Sequence, residues 1–148
     1  IDAGFLATLP RAEVLSGLGE MAHYFPIDGK DAFTRYANGL TAALDDGAAI
    51  AALVRESLEI KKGYVEIDEF DRRERQVFNY GHSFGHAIES VTNYAVPHGI
   101  AVSYGIDLAN LASVRFGFLD PEIRATMRAA LEQIWREFPL PKIDRAGF

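Results

Sequence analysis

Polar residues recur at helical spacing between Arg75 and His98, and this stretch constrains the fold more than any other. They stand at intervals of four, three, four and three: Arg75, Asn79, His82, His86 and Glu89. An α-helix turns about 100° per residue, so such residues share one narrow face. Apolar residues fall on the other side: Val77, Phe78, Phe84, Ile88 and Val91. The spacing predicts one amphipathic helix with a polar stripe.

The composition of this stripe bears on its interpretation. A polar stripe is usually a solvated face, but solvated faces favour Lys, Glu and Gln, which form helices better than His and Asn. Gly81 and Gly85 stand beside the two histidines, and each costs roughly 1 kcal/mol relative to Ala in a helix interior. The stripe therefore indicates that a neighbouring helix or a ligand approaches the backbone closely.

The other segments also carry helical periodicity, and no run alternates as a strand would. The first predicted helix starts near Thr8 and Pro10 and stops before Pro26, and two more cover 29–44 and 48–68. A fourth opens at His98, and the last begins at Asp120–Pro121 and ends before Pro139. Residues 68–75 are expected to form a turn and a helix start, and residues 93–97 a loop. The chain is predicted to be an all-α multi-helix bundle over 1–148, with the apolar helix after His98 in its middle.

Composition narrows the functional classes. The net charge of −6 argues against nucleic acid or an anionic membrane as a partner. Without cysteine, any metal site must use His, Asp or Glu. No apolar run approaches the length of a membrane span and no signal peptide opens the chain, which predicts a cytoplasmic protein. Because the chain starts at Ile1 and stops abruptly at Phe148, we expect a segment of a larger protein.

The histidines have the means to bind a divalent ion. His82 and His86 stand four residues apart and His98 follows at a helix start, while a catalytic zinc site typically takes three ligands of His and Asp/Glu type. Both His82 and His86 could be ligands, or one could bind metal and the other substrate. Spacing does not choose between these, nor does it exclude a non-catalytic helical module in which the motif serves core packing. Taken alone, Glu20 is expected to be a surface carboxylate and Lys61 a solvated cation.

Four ordered blocks between residues 5 and 105 carry a resemblance. N-Y-G-H-S-F-G-H-A-I-E, followed by P-H-G-I-A-V-S-Y-G, is similar to the signature of 3-dehydroquinate synthase and related sugar phosphate cyclases, N-x-G-H-T-F-G-H-A-x-E before H-G-E-A-V. Upstream, F-L-A-T-L-P-R-A-E-V-L-S-G-L-G-E-M-A-H resembles the family's F-L-x-T-L-P and G-x-A-E-x-x-K. The stretch E-I-K-K-G-Y-V-E-I-D-E-F-D-R-R-E-R resembles S-x-x-x-K-x-x-V-V-x-x-D-E-x-E-x-x-x-R.

The resemblance implies a role for each matching position. The metal, zinc or cobalt, would be held by Glu20, His82 and His98. His86 would contact the substrate and its phosphate, and Glu89, left without a role, could orient a histidine from outside the ligand set. The remaining substrate-binding positions match Lys61, Arg75, Asn79 and, where the family has Lys, His23. Arg and Lys suit a carboxylate, and His23 would be a cation that titrates near neutrality.

The implied activity is that of a lyase acting on a small phosphorylated sugar acid. The resemblance implies conversion of 3-deoxy-D-arabino-heptulosonate 7-phosphate to 3-dehydroquinate in the shikimate pathway, with NAD and metal, by a homodimer when full length. No G-x-G-x-x-G follows a strand, so NAD is expected to bind mainly in an N-terminal domain absent from this chain, which alone would be inactive. His23 and Ile100 depart from the family's Lys and acid, and leave open a cyclase of sedoheptulose 7-phosphate or glucose 6-phosphate.

Overall fold

The computed structural model describes residues 2–142, and this part of the chain contains helices and no strand. The all-α prediction is therefore confirmed. The α-helices are α1 (Arg11–Met21), α2 (Tyr24–Asp28), α3 (Lys30–Ala43), α4 (Gly47–Ile67), α5 (His82–Val91), α6 (His98–Arg115) and α7 (Pro121–Trp135), and 3₁₀ helices cover Ala3–Thr8 and Glu74–Asn79. Within residues 2–142, none of these helices combines the length and the apolar character that crossing a membrane requires.

Helix α6 lies in the middle of the bundle, as its apolar character predicts. It packs mainly against α5, α1 and α7. Nine of its residues are buried, including the polar Ser103, Asp107 and Asn110. A helix buried on several sides must be apolar almost all round, which explains why α6 lacks the amphipathic pattern of α3 or α5.

Glycines allow α6 to approach its neighbours at backbone contact. A Cβ on Gly99 would lie 1.8 Å from the Ser16 carbonyl oxygen of α1, and a Cβ on Gly105 would lie 2.0 Å from the carbonyl oxygen of Gly81. A Cβ on Gly85 would lie 3.0 Å from the Cα of Val102. The close approach predicted at Gly81 and Gly85 is therefore made by a helix, α6.

The single helix predicted from Arg75 to Glu89 is wrong. Arg75 and Asn79 lie in the 3₁₀ helix, and α5 begins only at His82. Gly81 separates the two with a φ of +83°, a left-handed conformation that stops a right-handed helix. The apolar face is also less buried than predicted, since Ile88 is buried whereas Val77 and Phe84 are exposed.

The first predicted helix is divided as well. Helix α1 ends at Met21, and Pro26 lies inside α2 instead of beyond the helix. Proline is tolerated there because an N–H in the first turn of a helix has no partner within that helix. Thr8 does not cap α1: its hydroxyl donates to the carbonyl oxygen of Phe5, and Pro10 occupies the N-cap position without a side-chain cap.

Aspartate side chains cap two of the remaining helices at their N-termini. Asp46 accepts a hydrogen bond from the N–H of Ala48 at the start of α4, and Asp120 accepts one from Glu122 at the start of α7, with Pro121 in the first position. A carboxylate at the N-cap satisfies one of the free N–H groups of the first turn. Helices α3, α4, α6 and α7 therefore lie where the sequence placed them, to within a few residues.

Ser103 joins α6 to α7 through a buried hydrogen bond. The indole N–H of Trp135 donates to the Ser103 hydroxyl oxygen at 2.7 Å. We expect Ser103→Ala to lower the free energy of unfolding by about 1–3 kcal/mol, because it leaves a buried donor without an acceptor. Thr126→Ala on the exposed face of α7 is the control, with an expected change within about 0.5 kcal/mol. Urea unfolding of both variants measures the difference, and equal values would contradict the prediction.

Candidate metal centre

Three helix ends meet at one point of the bundle and bring the histidines together. The last turn of α1 carries Glu20, the first turns of α5 carry His82 and His86, and α6 starts at His98. A Cβ on Gly19 would lie 2.3 Å from the Gly99 carbonyl oxygen, so only glycine lets α1 and α6 meet here. This backbone contact places the carboxylate of Glu20 beside His98.

Glu20 contacts two histidines of this cluster through one carboxylate oxygen. Its Oε2 atom lies 3.7 Å from His82 Nε2 and 3.4 Å from His98 Nε2. The same oxygen is buried and has no hydrogen-bond partner among the described residues. Glu20 is thus not the surface carboxylate that its own segment predicts, because the histidines of two other helices cover it.

The charges of the cluster shift its proton equilibria. Burial raises the pKa of Glu20, but the approach of His82 and the neighbouring His23 and His98 outweighs burial, so this pKa lies below its ordinary value. The Glu20 carboxylate in turn raises the pKa of His82, against the opposing effect of burial. At neutral pH Glu20 is therefore an anion that attracts cations to this point.

His23 is buried in the cluster rather than offered to solvent. Its side chain is 1% exposed, packs against the ring of Tyr24 at 3.8 Å between centroids, and lies 4.9 Å from the ring of His82. Burial lowers the pKa of His23 to about 4. The negative charge of Glu20 raises this pKa, but by less than burial lowers it. The prediction that His23 is a cation titrating near neutrality is wrong in this structure.

The second half of the cluster surrounds His98. Its ring is inclined by 29° to that of His86 at 5.7 Å between centroids, and its Nδ1 atom lies 3.1 Å from Oε1 of the buried Glu89. Two groups have ligand atoms within 4.8 Å of one another: Glu20, His23 and His82, and separately His86, Glu89 and His98. The predicted metal set draws on both groups, which meet at the contact between Glu20 and His98.

The predicted substrate-binding cations lie near the cluster to different degrees. The Nζ atom of Lys61, on α4, is 5.7 Å from the centre of the Tyr24 ring, and Tyr24 packs on His23. Arg75 contacts its own loop, where its guanidinium donates to the Glu69 carbonyl oxygen at 2.8 Å and lies 3.8 Å from Asp71. Asn79 is exposed at the end of the 3₁₀ helix. The structure thus places Lys61 close to the cluster and holds Arg75 on the adjoining loop.

Asp68 organises that loop, a role that sequence reasoning missed. Its carboxylate accepts hydrogen bonds from the backbone N–H groups of Arg72, Arg73 and Arg75. These donors, those of Arg72 and Arg73 foremost, lower the pKa of Asp68 below its ordinary value. The signal in the sequence is the acidic start of D-E-F-D-R-R-E-R, within the segment for which a turn and a helix start are predicted.

A separate groove of about 670 Å³ lies between α2 and α3 on one side and α7 on the other. Its walls are mainly apolar and include Phe33, Val77, Leu119, Ile123 and Met127. None of the histidines lines it. Apolar walls offer neither metal ligands nor groups that transfer protons, so we place the candidate site at the histidine cluster on chemical grounds.

Fold and cluster together define a class: an all-helical domain with a His/Glu site of the kind that holds a divalent ion. The sequence profile of the family described as 3-dehydroquinate synthase C-terminal matches residues 17–146. The chain belongs to this family.

Named relatives agree with this assignment. A 3-dehydroquinate synthase of Sulfurovum sp. is 37% identical over 134 residues, which are 90% of this chain and 37% of that protein. One of Xanthomonas campestris is 36% identical over 148 residues, covering 95% of this chain and 39% of the relative. A bifunctional 3-dehydroquinate synthase/phosphatase of Fusobacterium nucleatum is 37% identical over 125 residues, 82% of this chain and 19% of its own length. The chain spans less than two fifths of these relatives.

Proposed function

We propose that this chain is the metal- and substrate-binding part of a 3-dehydroquinate synthase-like cyclase, a lyase that eliminates phosphate from 3-deoxy-D-arabino-heptulosonate 7-phosphate. Family membership supports the enzyme class. One observation supports the metal: a buried, unpartnered carboxylate oxygen of Glu20 faces the Nε2 atoms of His82 and His98. A carboxylate oxygen and two imidazole nitrogens that converge in this way are ligands of the kind that hold a divalent cation.

The donor set fits zinc or cobalt. Two imidazoles and one carboxylate are a usual ligand set of catalytic zinc, which leaves a position for substrate. A divalent ion held there supplies a Lewis acid that polarises a bound hydroxyl or carbonyl. Glu89 would hold His98 with Nδ1 protonated, so that Nε2 keeps a free lone pair toward Glu20.

The remaining residues would orient the substrate. Lys61 would attract an anionic group as a mobile charge, whereas Arg75 would exchange its contact with the Glu69 carbonyl oxygen for a carboxylate of the substrate. His86 is exposed beside His98, where it could reach a phosphate or hold a proton, and Asn79 would donate from the neighbouring 3₁₀ helix. Fixing orientation in this way accounts for much of the rate of such reactions.

The described residues do not fit NAD. They form no strand and therefore no βαβ unit that could hold the dinucleotide phosphates. We assign NAD binding to the part of the relatives' length that this chain does not span. A homodimer in the cytoplasm belongs to the same proposal.

The experiment that tests the metal site is equilibrium dialysis of the chain with zinc or cobalt. We expect His82→Ala and His98→Ala to abolish binding and His86→Ala, the matched control on the same helix as His82, to retain it. Equal loss in all three variants would favour the histidine pair as ligands. Absence of binding by the unmodified chain would favour a non-catalytic helical module.

A second prediction concerns Glu89. We expect Glu89→Ala to weaken zinc binding by about 10–100-fold, because a ligating histidine without its outer partner loses orientation and basicity. Glu89→Gln keeps a hydrogen-bond acceptor for His98 Nδ1 and should lose less. Ser90→Ala, exposed on the same helix, is the control. Competition with a chelating dye measures all three affinities, and an unchanged value for Glu89→Ala would contradict this role.

A cyclase of another sugar phosphate is the alternative. Ile100 is fully buried in the core, and His23 is buried and uncharged. Neither residue supplies the charged group that stands at its position in the family's sequence motif. Assay of the complete enzyme with the heptulosonate phosphate, sedoheptulose 7-phosphate and glucose 6-phosphate distinguishes the substrates. Preference for either of the last two would replace the proposed reaction with that alternative.

A further inference from the structure

His23 has a buried nitrogen that forms no hydrogen bond of normal geometry with the described residues, although the backbone of Glu20 lies nearby. The side chain is 1% exposed, and its Nδ1 atom has no hydrogen-bond partner among the described residues. Buried side-chain nitrogens in proteins are nearly always paired with protein or water. An unpartnered nitrogen in the interior therefore requires an explanation.

The nitrogen lies beside the carboxylate of Glu20, within one group of ligand atoms that also includes His82. His23 Nδ1 lies 3.9 Å from Glu20 Oε1, whereas the other oxygen of the same carboxylate faces His82 and His98. Glu20, His23 and His82 offer ligand atoms within 4.8 Å of one another. The two unpartnered buried atoms of the cluster, His23 Nδ1 and Glu20 Oε2, thus belong to adjacent side chains.

Two simpler explanations account for less. A direct hydrogen bond between His23 and Glu20 would need a distance near 3 Å, well below the observed 3.9 Å. Aromatic packing against Tyr24 and Phe78 explains where the imidazole ring lies, but it leaves the nitrogen without a partner. A bridging water could satisfy both atoms, and a zinc titration distinguishes such a water from a bound metal ion.

We propose that His23 is a further protein ligand of the divalent ion held by Glu20, His82 and His98, a proposal that rests on the metal site of the proposed function. Four protein side chains would then converge on the ion. Zinc with four protein ligands is typical of closed sites, and catalytic zinc reaches five ligands in some reactions. This chain would consequently hold its metal more tightly than a site with three ligands, and substrate would bind as an additional ligand.

His23 burial supports this role. A histidine binds metal through the lone pair of an unprotonated ring nitrogen, and the buried Nδ1 atom of His23 has no hydrogen-bond partner among the described residues. A lysine at this position would be protonated and would repel the ion. The replacement of lysine by His23 thus changes a cationic side chain into a possible ligand.

The test is a zinc titration of the unmodified chain followed by nitrogen NMR of its histidine side chains. We expect the Nδ1 resonance of His23 to shift in step with the Nε2 resonances of His82 and His98. Reconstitution with Co²⁺ gives a second readout, since replacing a nitrogen ligand by water changes the visible absorption. Neither measurement depends on turnover.

Variants complete the test. His23→Gln and His23→Lys are expected to weaken zinc binding by at least ~10-fold, with circular dichroism to confirm that each variant folds. If His82 and His98 shift while His23 does not, His23 is only packed or water-bridged; this proposal is overturned and the metal site stands. If no histidine shifts and zinc does not bind, both proposals fail. The proposal is also overturned if a His23 variant binds zinc more weakly but the Nδ1 resonance of His23 in the unmodified chain does not shift with zinc.

Discussion

Gly105→Ala is expected to lower the free energy of unfolding by about 3 kcal/mol or more. The added Cβ would lie 2.0 Å from the Gly81 carbonyl oxygen and 2.7 Å from the Gly85 backbone nitrogen. Both atoms belong to backbone at the start of α5, so no side-chain rotation relieves the overlap. The helices must move apart, and α5 contributes His82 and His86 to the site.

Gly99→Ala tests the same principle at the other contact of α6. Its Cβ would lie 1.8 Å from the Ser16 carbonyl oxygen and 2.7 Å from the Glu20 nitrogen, so a similar loss of stability is expected. Gly63→Ala on exposed α4 is the matched control, because no atom lies within 4 Å of the new Cβ. There alanine should stabilise the helix by up to about 1 kcal/mol. Urea unfolding of the three variants measures these changes, and a neutral Gly105→Ala would show that α5 and α6 are not in backbone contact.

Glu20→Gln is expected to weaken zinc binding by at least ~100-fold, because loss of a ligand exceeds the 10–100-fold typical of an outer partner. The substitution keeps the shape of the side chain and removes the charge that faces His82 and His98. An amide also places a donor group among imidazoles that would otherwise bind the ion. Isothermal titration with zinc measures the effect.

Glu13→Gln is the control for this experiment. Glu13 lies in the first turn of the same helix and is exposed. Its substitution by Gln changes the net charge by the same amount as Glu20→Gln. We expect its zinc affinity to match that of the unmodified chain. If Glu13→Gln and Glu20→Gln weaken binding equally, the carboxylate acts through overall charge and Glu20 is not a ligand. If neither does, the ligands are the histidines alone.

Prediction from the sequence succeeded where the controlling interactions are local. Helices α4 and α7 start within one residue of the predicted positions, where Asp46 and Asp120 cap them, since an N-cap depends only on residues two or three positions away. Prediction failed at the join between the 3₁₀ helix and α5. Spacing alone predicts that Gly81 lies within a helix. In the structure Gly81 has a left-handed conformation, and α6 lies so close to it that a Cβ atom would not fit.

His23 shows the same limit for the site. Residues three apart on a helix are neighbours, and Nδ1 of His23 lies 3.9 Å from Oε1 of Glu20. Its burial was not expected, because the side chains that cover it, Phe78 and His82, come from elements more than fifty residues away in the chain. Burial rather than residue type decides the pKa of this histidine.

The sequence by itself determined the helical class, most helix boundaries, the absence of cysteine ligands and the candidate donors, because periodicity, capping and residue chemistry are properties of short segments. Only the tertiary structure decided that Glu20 meets His82 and His98, that His23 is buried, and that Glu89 bonds to His98. These contacts depend on how closely α1 and α5 approach α6. That distance is set by glycines whose partners, Gly19 with Gly99 and Gly81 with Gly105, lie far apart in the chain.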